Sequence, residues 1–205
     1  MFKKITVILT LLCLWSSNAQ FEWTPAKVIL KTGESFRGLV KFPKHLSGIV
    51  TIGSSKFKFK KNRKSKVKKL GHDTVYEVIF GDEDFTTVHF KYVPVRKNRF
   101  ILMEEIIYGR VSLFARTIHR AETEHSPIDS EFDRTVYNDV TDYYFLRDTE
   151  NTAIHITDVP TNSMFIRVAK KYFADCEKIV GYLEDELYTL NDLVELVEDY
   201  NLLCD

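Results

Sequence analysis

From residue 26 to about residue 160 the hydrophobic positions mostly recur every second residue, and beyond that point they recur every third or fourth. The first period belongs to strands whose side chains alternate between two faces, the second to helices with one buried stripe. Residues 27–30 and 35–42 flank Thr32-Gly33-Glu34 and predict a hairpin. Lys56-Phe57-Lys58-Phe59-Lys60 alternates strictly, as a half-buried strand does. Residues 74–80, 86–93, 100–108 and 111–119 are rich in β-branched and aromatic residues, and 49–52 is a short apolar run. Residues 143–146 and 152–157, parted by a turn-type cluster at 148–151, complete about ten short strands. The pattern predicts an α+β fold: an antiparallel β sandwich or barrel-like sheet over residues 20–160, then a C-terminal helical tail over 161–205.

In the tail, Asn162 or Ser163 can cap a helix that carries Phe165, Val168, Ala169 and Tyr172 on one face. Asp175 is the expected N-cap of a second helix with Cys176, Ile179, Val180, Leu183 and Leu187 at helical spacing. After a break near Tyr188, Thr189-Leu190-Asn191-Asp192 resembles a capping box, and Leu190, Leu193, Val194, Val197 and Tyr200 mark a third helical face. Two short helices joined tightly run antiparallel, so the start of one lies beside the end of the other. That places Cys176 next to Cys204 and predicts a disulfide closing a 28-residue loop. Such a constraint is worth about 3.5 kcal/mol on the chain-entropy account. A redox or metal pair would need Cys-x-x-Cys or further ligands nearby.

The start of the chain has its own pattern. Lys3 and Lys4 precede an uncharged, mostly apolar run over 5–15, and Ser17-x-Ala19 puts small residues at the −3 and −1 positions of a cleavage site. This is the grammar of a secretory signal peptide over residues 1–19. It predicts a mature chain that begins at Gln20 and is exported to the periplasm or the extracellular space. The apolar run is shorter than the ~20 residues of a membrane span. Leu12 before Cys13 does not fit a lipoprotein signal, so Cys13 leaves with the segment and Cys176 and Cys204 remain. No later run is long enough to span, which predicts no transmembrane segment in the mature chain. Removing residues 1–19 leaves 27 basic against 29 acidic residues, so net charge says little about partners.

Several segments carry a resemblance. Tyr172-Phe173-Ala174-Asp175-Cys176, Leu193-Val194-Glu195-Leu196-Val197 and Tyr200-Asn201 before Cys204 resemble the C-terminal signature of uncharacterised exported proteins from Bacteroidota. Residues 57–66 and Tyr108-Gly109-Arg110-Val111-Ser112-Leu113 are similar to theirs as well. Glu177 departs from the Pro more often found after that Cys. The resemblance implies a compartment, a β-rich body and a Cys-containing helical tail, and no chemistry.

Catalytic signatures are missing from the sequence. It has no Gly-x-Ser-x-Gly, and its eight glycines are too scattered for a phosphate-cradling loop. His119-x5-His125 lacks the i, i+4 spacing and third ligand of a zinc site. Residues 121–142 read as a long acidic loop, with seven carboxylates against Arg134. Within it Asp129-Ser130-Glu131-Phe132-Asp133 begins like a calcium loop, but Arg134 replaces the required Gly and Val140 the closing Glu. No catalytic residue, metal ligand or cofactor is assigned. The expectation is a non-catalytic binding module of the envelope; the alternatives are an enzyme with a site built from dispersed residues, or a subunit of an envelope complex.

The least ordinary feature is residues 56–69, where nine of fourteen are basic: Lys56, Lys58, Lys60, Lys61, Arg63, Lys64, Lys66, Lys68 and Lys69. The end of the chain is opposite in sign, with ten acids and one base over 175–205. Three readings stay open: a solvated edge that discourages strand aggregation, a surface for an anionic partner, or a face docked on the chain's own acidic tail or loop. The partners expected are anionic lipid headgroups, acidic polysaccharide or an acidic envelope protein. Nucleic acid is disfavoured by compartment.

Overall fold

The computed structural model describes residues 23–42, 44–45, 48–49, 56–81, 87–124, 134–157, 159 and 161–204, with backbone alone for 44–45, 48–49, 119–124 and 134–139. The segment read as a signal peptide lies outside the described residues. Twelve strands are described: β1 (Thr24–Leu30), β2 (Ser35–Lys41), β3 (Lys44–His45), β4 (Gly48–Ile49), β5 (Lys56–Lys60), β6 (Lys68–Gly71), β7 (Val75–Phe80), β8 (Val88–Arg96), β9 (Arg99–Ile107), β10 (Val111–Glu124), β11 (Arg134–Arg147) and β12 (Ile154–His155). Ten of them form one antiparallel sheet in the order β12-β11-β10-β9-β8-β7-β1-β2-β5-β6, and β3 pairs with β4. Three helices follow, α1 (Asn162–Tyr172), α2 (Glu177–Glu184) and α3 (Leu193–Leu203). The α+β class and the antiparallel sheet with a helical tail are as the sequence predicts. The sheet is open, not closed into a barrel.

Phe42 shows how far the sheet curls. Its ring lies 5.6 Å from that of Phe57 on β5 and 5.1 Å from that of Phe90 on β8. In the strand order β5 and β8 are four steps apart. A flat sheet would separate them by about 19 Å at the usual inter-strand spacing. One ring bridges both because the sheet wraps around it. The inner face carries an apolar core: Val28, Val40, Phe57, Phe59, Val78 and Leu102 belong to one buried cluster. Period-two alternation then sends the neighbours of these residues outward.

The tail covers the other end of the inner face. Phe165 and Phe173, Ile179 and Leu183, Leu196 and Tyr200 share a core with Val111, Leu113 and Phe145 of β10 and β11. Cys176 and Cys204 are disulfide-bonded with Cα atoms 5.7 Å apart, where antiparallel α2 and α3 bring them. The Thr189–Asp192 capping box is formed. Two caps differ from expectation. Thr161, not Asn162 or Ser163, accepts from Met164 N–H and caps α1. Cys176 is the N-cap of α2, because the Asp175 carboxylate is drawn away to Arg147 and Tyr200.

A larger correction concerns residues 121–142. Ala121 pairs with Tyr137 and Arg116 with Asp142, so β10 and β11 run as one long ladder through most of what reads as a loop. Polarity suggests a loop there, but a ladder is made by backbone groups that every residue carries. Thr135, Val136, Tyr137, Val140 and Thr141 are good strand formers. Asp129 to Asp133, and His125, lie outside the described residues.

Candidate anion-binding face

The alternation in β5 is realised as read: Phe57 and Phe59 are buried and Lys56 and Lys58 exposed, with Lys60 half-buried against Trp23, its Nζ 4.0 Å from the ring centroid. Register then adds what a single segment cannot show. Lys58 lies directly opposite Lys69 on β6 and directly opposite Lys41 on β2, and Lys27 on β1 is opposite Arg37 on β2. Directly opposed residues share a face. Lys27, Arg37, Lys41, Lys56, Lys58, Lys60 and Lys69 therefore gather on the outer face of four adjacent strands. The adjoining strand β7 brings Glu77 to this face, but its carboxylate is taken by His89 Nδ1 at 2.8 Å and by Lys91 at 4.0 Å.

Not every predicted cation is outward. Lys68 pairs with Phe59, so it leaves β6 on the aromatic side. Lys61, Arg63, Lys64 and Lys66 occupy the connection between β5 and β6. Asn62 holds that connection: its side-chain oxygen accepts from Lys64 N–H at 3.0 Å and from the Ser65 hydroxyl at 2.9 Å. A groove of about 600 Å³ lies beside it, with Leu30, Phe36, Phe59 and Leu70 as apolar lining and Arg37, Lys61, Lys66 and Lys68 as its cations. Among the described residues none of the nine predicted cations forms an ion pair. The acidic tail packs on β9 and β10, away from this hairpin in the strand order.

Two further polar clusters are fully built. On the outer face Thr87 Oγ1 lies 3.0 Å from His89 Nε2 and His89 Nδ1 lies 2.8 Å from Glu77. Hydroxyl, imidazole and carboxylate in line is the order of a nucleophilic relay. A relay also needs donors for an oxyanion, and residues 82–86 before Thr87 lie outside the described residues; in this structure the line ties β7 to β8. Beside it Lys91 bridges to Glu105 at 2.7 Å. Burial pulls the Lys91 ammonium down, but the hydrogen bond and charge of Glu105, with Tyr76 and Glu77, outweigh it and raise its pKa. Burial also raises Glu104 above the usual carboxylate range.

The second cluster fastens the tail. Arg147 donates to Asp175 at 2.7 and 2.8 Å, to the Tyr200 hydroxyl at 2.6 Å and to the Tyr172 carbonyl at 2.7 Å. Its guanidinium lies 4.9 Å from the Tyr172 ring centroid and 5.0 Å from that of Tyr200. The Arg147 hydrogen bond holds the Asp175 carboxyl at about 2, against burial, with Tyr200 adding to the effect. Asn201 completes the attachment by accepting from Val111 N–H and donating to the Val111 carbonyl, 3.0 and 2.9 Å. A side chain at Gly109 would meet the Asn201 amide at 2.3 Å, which is why the close approach needs glycine there.

Among the described residues no group of three or more His, Cys, Asp or Glu side chains is placed to hold a metal, and no helix is long and apolar enough to cross a membrane. No protein-family model, curated protein or solved structure matches this chain. Reading residues 56–69 in isolation missed Lys27, Arg37 and Lys41. Their alternation within β1 and β2 was a visible signal, but only the β2–β5 and β1–β2 registers join them to the hairpin.

Proposed function

We propose that this chain is an exported, non-catalytic envelope module that holds an anionic surface, foremost acidic lipid headgroups, on the outer face of β1, β2, β5 and β6. The observation that carries the reading is the row Lys41–Lys58–Lys69, three lysines directly opposed across three strands. Like charges in direct opposition destabilise a sheet. Lys58 and Lys69 form no ion pair among the described residues, so a protein that keeps this opposed pair where Gln, Thr or Glu would serve the fold better gains something from it. A negatively charged membrane supplies that gain, at about 1 kcal/mol per basic residue near the surface. The disulfide and the N-terminal signal grammar support placement outside the cytoplasm.

Co-sedimentation with vesicles tests it. The chain lacking residues 1–19 is expected to bind vesicles containing phosphatidylglycerol, to ignore vesicles of phosphatidylcholine alone, and to dissociate as salt rises. Changing Lys58, Lys60 and Lys69 together to Gln is expected to weaken binding roughly 100-fold. Salt-insensitive binding, equal binding by the Gln variant, or capture only by an acidic polysaccharide would overturn the lipid reading.

A further inference from the structure

The groove beside the hairpin shares only Arg37 with the outer basic face, and its apolar floor lies on the aromatic side of the same strands. We infer that it takes a single-chain anionic amphiphile, a long-chain carboxylate, with its alkyl chain along Phe36, Phe59 and Leu70 and its head among Lys61, Lys66 and Lys68. Its volume of about 600 Å³ falls in the usual small-ligand range of about 300–1,000 Å³.

The floor is constructed, not a gap left between elements. The Phe36 and Phe59 rings meet with centroids 4.8 Å apart. Phe59 can lie there only because residue 38 is glycine: a Cβ at Gly38 would come within 2.4 Å of the Phe59 ring and 2.7 Å of the Lys60 carbonyl. Leu70 follows Lys68 by two residues, so it falls on the same side and extends the apolar strip. Phe36 and Leu70 are only half-buried and present this strip to whatever enters.

The rim decides the class of occupant. Register fixes Lys68 on the floor's side of β6, and the Asn62 turn fixes the connection that carries Lys61 and Lys66. The lining contains no carboxylate. A neutral lipid would leave these cations beside its head without a counter-charge, and inorganic phosphate would use the rim but not the floor. A chain ending in a carboxylate uses both.

Isothermal titration of myristate and laurate, below their micelle concentrations, into the intact oxidised chain tests this. One site per chain is expected, with affinity falling about fourfold for each methylene removed. The variant Lys61→Gln/Lys66→Gln/Lys68→Gln is expected to bind myristate about tenfold more weakly and tetradecanol unchanged, while Leu70→Ser weakens both. If Leu70→Ser fails to fold, the lysine variant decides, since its three positions are exposed. Lys58→Gln/Lys60→Gln/Lys69→Gln lies outside the groove and is expected to leave myristate binding intact, so the vesicle reading and this one fail separately. Absence of binding, indifference to the rim lysines, or a concentration-dependent dimer that buries the groove and that myristate does not dissociate would overturn the inference.

Discussion

Replacing Lys58 by Glu is expected to strengthen the fold and weaken the binding. Lys58 is the middle of the row Lys41–Lys58–Lys69, so one substitution converts two opposed like-charge pairs into two opposite-charge pairs. Each cross-strand pair is worth roughly 0.2–1 kcal/mol, so the two conversions sum to about 1 kcal/mol of added stability. For a chain of this size that raises Tm by about 2–4 °C, and the gain shrinks in high salt because the position is exposed. The same change removes a positive charge from the outer face and adds a negative one. At about 1 kcal/mol per charge near an acidic membrane, vesicle binding falls roughly 30-fold. Thermal unfolding at low and high salt gives the first quantity and co-sedimentation the second. A lower Tm would show that the three lysines are not opposed as described. A higher Tm with unchanged binding would show that the row serves only as a solvated edge.

Three other outcomes follow from the tail. Arg147→Ala is expected to cost about 1–2 kcal/mol, because it removes the charge partner of half-exposed Asp175 and the donor to the Tyr172 carbonyl while Tyr200 keeps its bond to Asp175; equilibrium urea unfolding measures it, and no measurable cost would mean that the clamp is ornamental. Asp175 titrates at about 2 when folded against 3.8 otherwise, so its stabilisation is complete above the unfolded value and is lost as pH falls through the folded one. After discounting for its exposure this is worth about 1 kcal/mol, and Asp175→Asn is expected to flatten the stability profile between about pH 5 and about pH 1, from one decade above the unfolded value to one decade below the folded one. Reducing the Cys176–Cys204 bridge is expected to cost about 3.5 kcal/mol and to expose α2 and α3 to protease before the sheet; simultaneous cleavage of both would refute a local role.

What the sequence made legible was whatever depends on near neighbours. The alternation of residues 56–60 and the Thr189–Asp192 box arise within short stretches, the meeting of Cys176 with Cys204 follows from the one helix pair they flank, and each is found. Asp175 was misread because its residue type favours capping, while the decision is made by Arg147, 28 residues earlier. The length of β10 and β11 was hidden by acidic composition. The outer face was half legible: the lysines of residues 56–69 stand out, but their company depends on β2 choosing β5, and the groove on glycine at position 38. Those are facts of register, which no local pattern encodes.

The strand order also sets the order in which the molecule can assemble. From β8 to β12 every strand pairs with the one before it, so the meander β7 to β12 forms as fast as its turns close. Strand β1 must instead join β7, with Ala26 meeting Phe80 across more than fifty intervening residues. Bringing such distant segments together carries a larger loop-closure cost and slows folding. The first third of the chain therefore waits, unpaired on one side, until β7 has been made. Until then the aromatic strip of β5 has no inner face to pack against, and its lysines are what keep that waiting strand in water and apart from its copies.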